Sequence, residues 1–571
     1  MRIYFFIAII SFISLSAHAQ IANRYDIVID ELMADPTPQV GLPNNEWIEL
    51  KNTSSTAINL QGFKLSDLTG TSGAMPSFIL KPDSFVIVCT SSAVAAMSAF
   101  GTTISVTSFP SLDNDADQIS LTSLQGKIIH AVSYDVGWYK NELKKDGGWT
   151  LEMIDTKNPC SGFNNWKASI DIKGGTPGKK NSVDAINADQ SAPRLLRAFA
   201  NDSLNITLIF DEPLDSLKSA TAANYSVSDG IGTPQSAITV SPVFDKVNLK
   251  LNSPLQRNKI YNITTNSVTD CAGNVIGNFK IARVGLSSVA DSFDVVINEI
   301  LFNPKPTGVD YVEIYNRSQK IIDLKQLYIA NRNSTNVISS IKQLSAESIL
   351  LFPQDFLVIT EDPSIVKTEY VTTNPDAFIK VAGLPSFSDD KGDVIILNAQ
   401  GNIVDEVKYS DKWHFSLLAN TEGVSLERID YNAPSIQNNF HSAATSVGYG
   451  TPGYKNSQYR IDAQSQGEIV VTPEIFSPDN DGLDDFATIS YSFPSPGYVA
   501  NITIYDASGR PVRYLQKNAL SGLKGNYVWD GLGEKLQKLP IGIYIIYTEI
   551  FNAEGKKKQF KNTIVLARRM N

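Results

Sequence analysis

Tandem β-sandwiches are what this sequence predicts, an all-β fold class, and three observations predict it. Short runs rich in Val, Ile, Tyr and Phe recur along the chain, separated by Gly, Asn, Asp and Pro, which is the punctuation of strands and turns. One set of these runs occurs twice, near residues 23–183 and again near 293–457. At 571 residues the chain is also far longer than one hydrophobic core serves, so several domains are expected.

The repeat sets the order of elements. Ile27-Val28-Ile29-Asp30-Glu31-Leu32 returns as Val295-Val296-Ile297-Asn298-Glu299-Ile300. Glu46-Trp47-Ile48-Glu49-Leu50 returns as Asp310-Tyr311-Val312-Glu313-Ile314, and Phe85-Val86-Ile87-Val88 as Phe356-Leu357-Val358-Ile359. Later, Trp138 aligns with Trp413, and Leu151-Glu152-Met153 with Leu426-Glu427-Arg428. Both copies close on Thr-Pro-Gly, at Thr176-Pro177-Gly178 and Thr451-Pro452-Gly453, followed by Lys-Asn-Ser. In an extended strand Glu49 shares a face with Trp47. A short helix is expected after Phe85–Thr90, with Ser91 or Ser92 as cap, and its counterpart opens on Asp362-Pro363, a good cap and first-turn pair.

At these residues a family becomes nameable. "IVIDELMADP", "NEWIELKNTSSTAINLQGFKLSD", "GWTLEMID" and "GGTPGKKNS", with "VVINEILFNP" and "DYVEIYNRSQKIIDLKQLYIAN" in the second copy, resemble the lamin-tail domain of bacterial secreted proteins. The resemblance implies a compact immunoglobulin-like sandwich that serves as an interaction module without catalytic residues of its own. Such domains often accompany exported hydrolases, nucleases included, which implies an alternative: an exported metal-dependent hydrolase, or its accessory, acting on nucleic acid or phosphoesters. Between the copies, "LIFDEPL", Asn224-Tyr225 and "DCAGN" resemble bacterial Ig-like domains of S-layer and adhesin stalks, implying a spacer. At the end, "FSPDNDGLDDF", "ITIYDASGRPVRYL" and "PIGIYIIYTEI" resemble the Ig-like domain of flagellar hook-capping proteins and the C-terminal domains that serve as type IX export signals. The expected organisation is a signal peptide over 1–19, lamin-tail domains over 20–186 and 287–466, an Ig-like spacer over 187–286, and a terminal Ig-like or sorting domain over 467–571.

Composition agrees with an exported, soluble surface. Lys and Arg number 49 against 59 Asp and Glu, a net charge of −10, which disfavours nucleic acid as a partner because gripping phosphates needs a positive footprint. Arg2, the apolar run from Ile3 to Leu15, and Ala17-His18-Ala19 before Gln20 form an export signal. No later run reaches the about 20 apolar residues of a membrane-spanning helix. The expected location is the outer-membrane surface or the medium, and the expected partners are an extracellular polymer or protein and the secretion or anchoring machinery.

Candidate sites are few. Asp479, Asp481 and Asp485 have the spacing of a calcium loop around Gly482, although the closing bidentate Glu of an EF-hand is replaced by Thr488; the alternative is an Asx-rich turn. Trp138-Tyr139 and Trp413-His414 follow a strand and precede a loop, where exposed rings would stack on sugars or anchor a partner, the alternative being core packing. Of the three cysteines, Cys89 and Cys160 share a domain and are the pair offered for a bridge; otherwise all three are buried thiols. Glu31, Glu46 and Glu49, matched by Glu299, Asp310 and Glu313, invite a paired-carboxylate reading, but their recurrence in both copies favours a structural duty such as hydrogen-bonding loop backbones. Asp211, Glu212 and Asp270 suggest a cation site less well than they suggest solvated turns. His130 stands where the second copy has Asp405. No HExxH, GxSxG, P-loop or CxxC pattern occurs.

Overall fold

The computed structural model describes residues 22–459 and 467–568; the expected export signal over 1–19 falls outside the described residues. Secondary structure is nearly all strand. Two compact units result, one running to Pro254 and resuming over Tyr261–Val284, the other taking Leu255–Ile260 and the described chain from Gly285. Each unit holds one copy of the repeat and one further β-sandwich.

In the first copy six strands form one sheet in the order Trp166–Ala168, Leu151–Met153, Ile27–Met33, Trp47–Asn52, Phe85–Cys89, Thr103–Ser105. The second copy repeats it as Phe440–Ser442, Leu426–Arg428, Val295–Leu301, Tyr311–Asn316, Phe356–Thr360, Phe378–Lys380. Both central strands carry a bulge at the same place, between Ile29 and Glu31 and between Ile297 and Glu299. A bulge leaves one residue unpaired and re-aims it, and here that residue is Asp30 or Asn298. One face of each sheet packs on the domain core, with Ile29, Ile48, Leu50 and Leu151 in the first copy and Ile297, Val312, Ile314 and Leu426 in the second. The other face carries the glutamates and is covered by the short helix and by the closing Thr-Pro-Gly segment. Asn52 and Asn316 pin the following turn alike, their Nδ2 donating to the Thr56 and Leu80 carbonyls and to the Lys320 and Leu351 carbonyls.

The helices diverge. Asp362 caps Pro363–Glu369 as expected, its carboxylate accepting the amides of Ser364 and Ile365. In the first copy the helix shrinks to Val94–Met97 with Ala93 at the cap and no side-chain cap bond, correcting the serine cap. Ser92 instead pairs its hydroxyl with that of Thr90.

The rest of the first unit is a sandwich of a four-stranded sheet, Leu195–Ala200, Asn205–Phe210, Lys246–Lys250 and Ser236–Thr239, and a three-stranded sheet, Tyr225–Val227, Tyr261–Thr265 and Ile281–Val284. Its junction with the repeat is covalent. Cys160 is bridged to Cys271 across a Cα separation of 6.3 Å, correcting the Cys89–Cys160 pairing. Cys160 lies on a loop facing the Ig-like sandwich, within bridging range. Cys89 points from a strand into the cluster of Trp47, Ala93 and Met97, where burial pushes its thiol up to about 11.

In the second unit a three-stranded sheet, Glu468–Thr472, Ala487–Ser492 and Lys524–Trp529, packs on a five-stranded sheet, Ile475–Phe476, Lys557–Leu566, Gly542–Asn552, Tyr498–Asp506 and Pro511–Ser521, around Phe476, Trp529 and Tyr544. This sandwich docks on the second repeat through Phe415 against Val499 and Leu520, and through a 2.8 Å bond between the Ser446 and Tyr491 hydroxyls. Leu523 N donates to the Ser457 carbonyl at 3.0 Å, and a Cβ on Gly522 would sit 2.4 Å from that oxygen, so glycine is needed there. Among the described residues no helix is long and apolar enough to cross a membrane.

Candidate functional site

The recurrent acids come together. Glu31 pairs across the sheet with Glu49 on one side and Glu152 on the other, and Glu299 with Glu313 and Glu427 in the same way. Like charges directly opposite each other destabilise a sheet. All six side chains are buried, and each gives at least one oxygen to the closing segment. Glu31 accepts Thr176 N at 2.7 Å and the Thr150 hydroxyl at 2.7 Å; Glu49 accepts Gly178 N; Glu152 accepts the hydroxyls of Thr176 and Ser182 and Val183 N. The second copy duplicates this with Thr451 N and the Ser425 hydroxyl on Glu299, Gly453 N on Glu313, and Thr451, Ser457 and Gln458 on Glu427. Asn181 and Asn456 complete the latch, donating to the Asp30 and Met153 carbonyls and to the Asn298 and Arg428 carbonyls. Burial and mutual repulsion raise Glu31, Glu49, Glu313 and Glu427, the last to about 8. Buried acids whose oxygens are taken by fixed amides and hydroxyls act as a clamp. Glu46 lies apart, half-buried, accepting Leu112 N at 3.0 Å.

A second acceptor site sits beside the bulge. His130 Nδ1 accepts Ile29 N at 2.9 Å, and its Nε2 donates to the Pro159 carbonyl at 3.1 Å. Burial lowers His130 to about 4, so the ring is neutral. Asp405 does the same work in the second copy, accepting Ile297 N at 2.8 Å and the Arg428 guanidinium at 2.9 Å. Arg428 is fully buried and also reaches the Ile297 and Ala433 carbonyls.

The expected loop aromatics are mostly inside. Trp138 and Tyr139, at 7% and 3% exposure, sit in a 3-10 turn over Val136–Tyr139 whose Gly137 amide is capped by Asp135. Trp413 is half-buried against Phe440, and buried His414 bonds the Ser442 hydroxyl at 3.0 Å and is lowered to about 4. The expectation of freely exposed stacking rings is therefore corrected: these faces are used in packing.

Trp138 nevertheless borders a cleft. Between the first repeat and the Ig-like sandwich lies a cavity of about 210 Å³, lined by Arg24, Tyr25, Trp138, Phe163, Trp166, Asp211, Glu212 and Asp245, with Cys160 of the disulfide in its wall. Phe163 is 49% exposed and stands edge-on to Trp138, with Lys140 Nζ 4.4 Å from its ring centre. The Arg24 guanidinium stacks at 4.2 Å on Phe244. Glu212 is pushed up to about 8 by burial and by the carboxylates of Asp189, Asp270 and Asp211. Asp189, Glu212 and Asp270 each place an oxygen within 4.8 Å of the others, but Asp270 is occupied by Gly273 N, Asn274 N and Asn274 Nδ2, and Asp189 by the Ser161 hydroxyl and Ser191 N. Sequence reasoning missed this cleft because it forms only where two domains meet.

Asp479, Asp481 and Asp485 do converge, again within 4.8 Å. Asp485 accepts Asn480 N and Gly482 N, Asp479 accepts Asp481 N, and Asp481 accepts Leu483 N, so the carboxylates brace their own loop.

Comparison with curated proteins returns no match. Among solved structures, the N-terminal part of the bacterial S-layer protein SbsC is similar at 16% identity, covering 29% of this chain and 45% of that one, with a TM-score of 0.16. This chain thus spans less than half the length of that structure. A DUF4876 family protein from Bacteroides thetaiotaomicron is similar at 12% identity over 41% of this chain and 86% of that one, TM-score 0.17. A tetra-tandem repeat from the extending region of a large adhesion protein is similar at 10% identity over 95% and 99%, TM-score 0.12. The Lamin Tail Domain family matches residues 20–135 and 288–411, and the Bacterial Ig-like domain family matches residues 183–283. The chain carries two lamin tail domain regions flanking a bacterial Ig-like domain.

Proposed function

We propose that this chain is an exported, non-enzymatic surface or secreted scaffold protein that binds an extracellular glycan polymer, with the cleft of the first unit as its seat. The cleft carries the reading: Tyr25 and Phe163 offer ring surface, and Asp211 and Glu212 offer polar oxygens for hydroxyl groups, in a volume of about 210 Å³ suited to one sugar ring. The disulfide ties the two walls together, which favours a preformed site. The carboxylate clusters of the repeats support a non-enzymatic role, since each glutamate gives an oxygen to the closing segment.

Glycan arrays followed by calorimetry test this. Phe163→Ala and Glu212→Gln should each weaken a captured glycan by about tenfold or more with the fold intact. A chain that captures no glycan, or variants that bind as well as the parent, would remove the assignment. Export rests on the segment 1–19 and sorting on the domain 467–571, within the division 20–186, 187–286 and 287–466. Deleting 467–571 should strand the chain in the periplasm, and unchanged surface display would end the sorting role. A calcium ion held by Asp479, Asp481 and Asp485 should raise the melting temperature of the terminal sandwich on calcium addition, an effect absent in Asp481→Asn.

A further inference from the structure

The two latches differ in the atoms at the bulge. In the second copy the Asn298 amide donates to Glu313 Oε1 at 2.7 Å and to Asn456 Oδ1 at 2.7 Å. The first copy has Asp30 at that position, 1% exposed and without an amide to give. Asp30 Oδ1, Glu49 Oε1 and Asn181 Oδ1 are then all buried with no hydrogen-bond partner among the described residues. These are the three positions that the Asn298 amide joins in the second copy. A buried acceptor left unpaired is costly, and two carboxylates sharing one buried place do not both stay ionised. One hydrogen on Asp30, given to Glu49, is the smallest change that pairs two of these three atoms.

We propose that Asp30 is held as a neutral carboxylic acid whose O–H donates to Glu49 in place of the Asn298 amide, making attachment of the first closing segment depend on pH through this residue. The groups around it are Glu31 on its own strand, Glu49 and Lys51 on Trp47–Asn52, Glu152 on Leu151–Met153, Asp184 beyond the closing segment, and neutral His130, which accepts Ile29 N. Lys51 is the one cation among them and pulls Asp30 toward ionisation; burial, Glu152 and Asp184 outweigh it and hold the group near 7. An acid raised in the folded state has its stabilising proton in place at low pH and loses it as pH climbs to that value.

Amide hydrogen exchange on the full chain, read by mass spectrometry and corrected for intrinsic rates, tests this with an internal control. Protection of residues 176–183 in the parent, relative to Asp30→Asn, should fall by about tenfold per pH unit between pH 5 and 7 and level off above, while residues 451–458 show no change between the two proteins. His130 titrates identically in both, so the ratio cancels it. Asn298→Asp should transfer the same dependence to residues 451–458. A ratio flat with pH, an Asp30→Asn protein that is less protected or fails to fold, or an Asn298→Asp latch indifferent to pH would each overturn the proposal.

Discussion

The two lamin-tail copies keep one scaffold and fill it with different chemistry. Both clamp a Thr-Pro-Gly segment with three glutamates on neighbouring strands. Beside that clamp the first copy uses His130, Met153 and Cys160, where the second uses Asp405, Arg428 and Ser435. In the second copy these three bond to one another, Ser435 donating to Asp405 and accepting from Arg428. In the first, a neutral ring and a thioether need no such network, and the third position is free to reach the Ig-like sandwich as a disulfide. The same backbone tolerates a neutral or an ionic solution, provided the Ile29 or Ile297 amide keeps its acceptor.

Breaking the ionic solution should have the largest effect. Arg428→Met leaves Asp405 buried and uncompensated, with an expected cost of about 3–5 kcal/mol in urea unfolding of the second unit. Adding Asp405→His, which imports the first copy's pair, should recover most of it. A double variant as unstable as the single one would show that the two solutions are not interchangeable.

Next comes the covalent tie that the second copy lacks. Cys271→Ser should cost the first unit about 2–4 kcal/mol, and reductant should reproduce the loss in the parent while leaving the second unit unmoved. Non-reducing peptide mapping should return Cys160 joined to Cys271 and Cys89 as a thiol that alkylates only on unfolding.

The neutral ring gives the first copy an acid weakness. His130 is lowered to about 4 in the folded chain from an ordinary 6.5, so the unfolded chain binds the extra proton between those values. His130 should therefore contribute stability that rises with pH from about 4 to 6.5, by at most about 3 kcal/mol, against the opposite contribution of Asp30 over the same range. The stability difference between the parent and His130→Asp combined with Met153→Arg should follow that rise in acid titrations monitored by near-UV dichroism. A difference flat with pH would place the acid weakness in another group.

Much of this was legible in the sequence, for reasons the structure makes clear. The strand order repeats because the alternating runs repeat, and the paired glutamates read as scaffold because they recur. The Asp362-Pro363 cap was readable because capping is local. Cys89 misled because shared domain membership says nothing about which way a strand side chain points. For Trp138 and Tyr139 the packing alternative holds: both rings are buried in a turn that Asp135 caps, and the polar residues after them gave no sign of which way the rings point. The cleft needed two domains in contact, and no single stretch of sequence contains it.

The smallest difference between the copies is the helix covering the outer sheet face, and it separates local from tertiary stabilisation. Asp362 donates nothing to the core; its carboxylate satisfies two first-turn amides of Pro363–Glu369. Removing it in Asp362→Ala should cost about 1 kcal/mol, seen as faster exchange of amides 364–366. Ser91→Ala and Ser92→Ala should each stay within about 0.5 kcal/mol, because Val94–Met97 has no side-chain cap and is held by Met97 packed beside Trp47 and Cys89. Equal losses at the two sites would mean that capping, rather than burial of Met97, sustains the shorter helix as well.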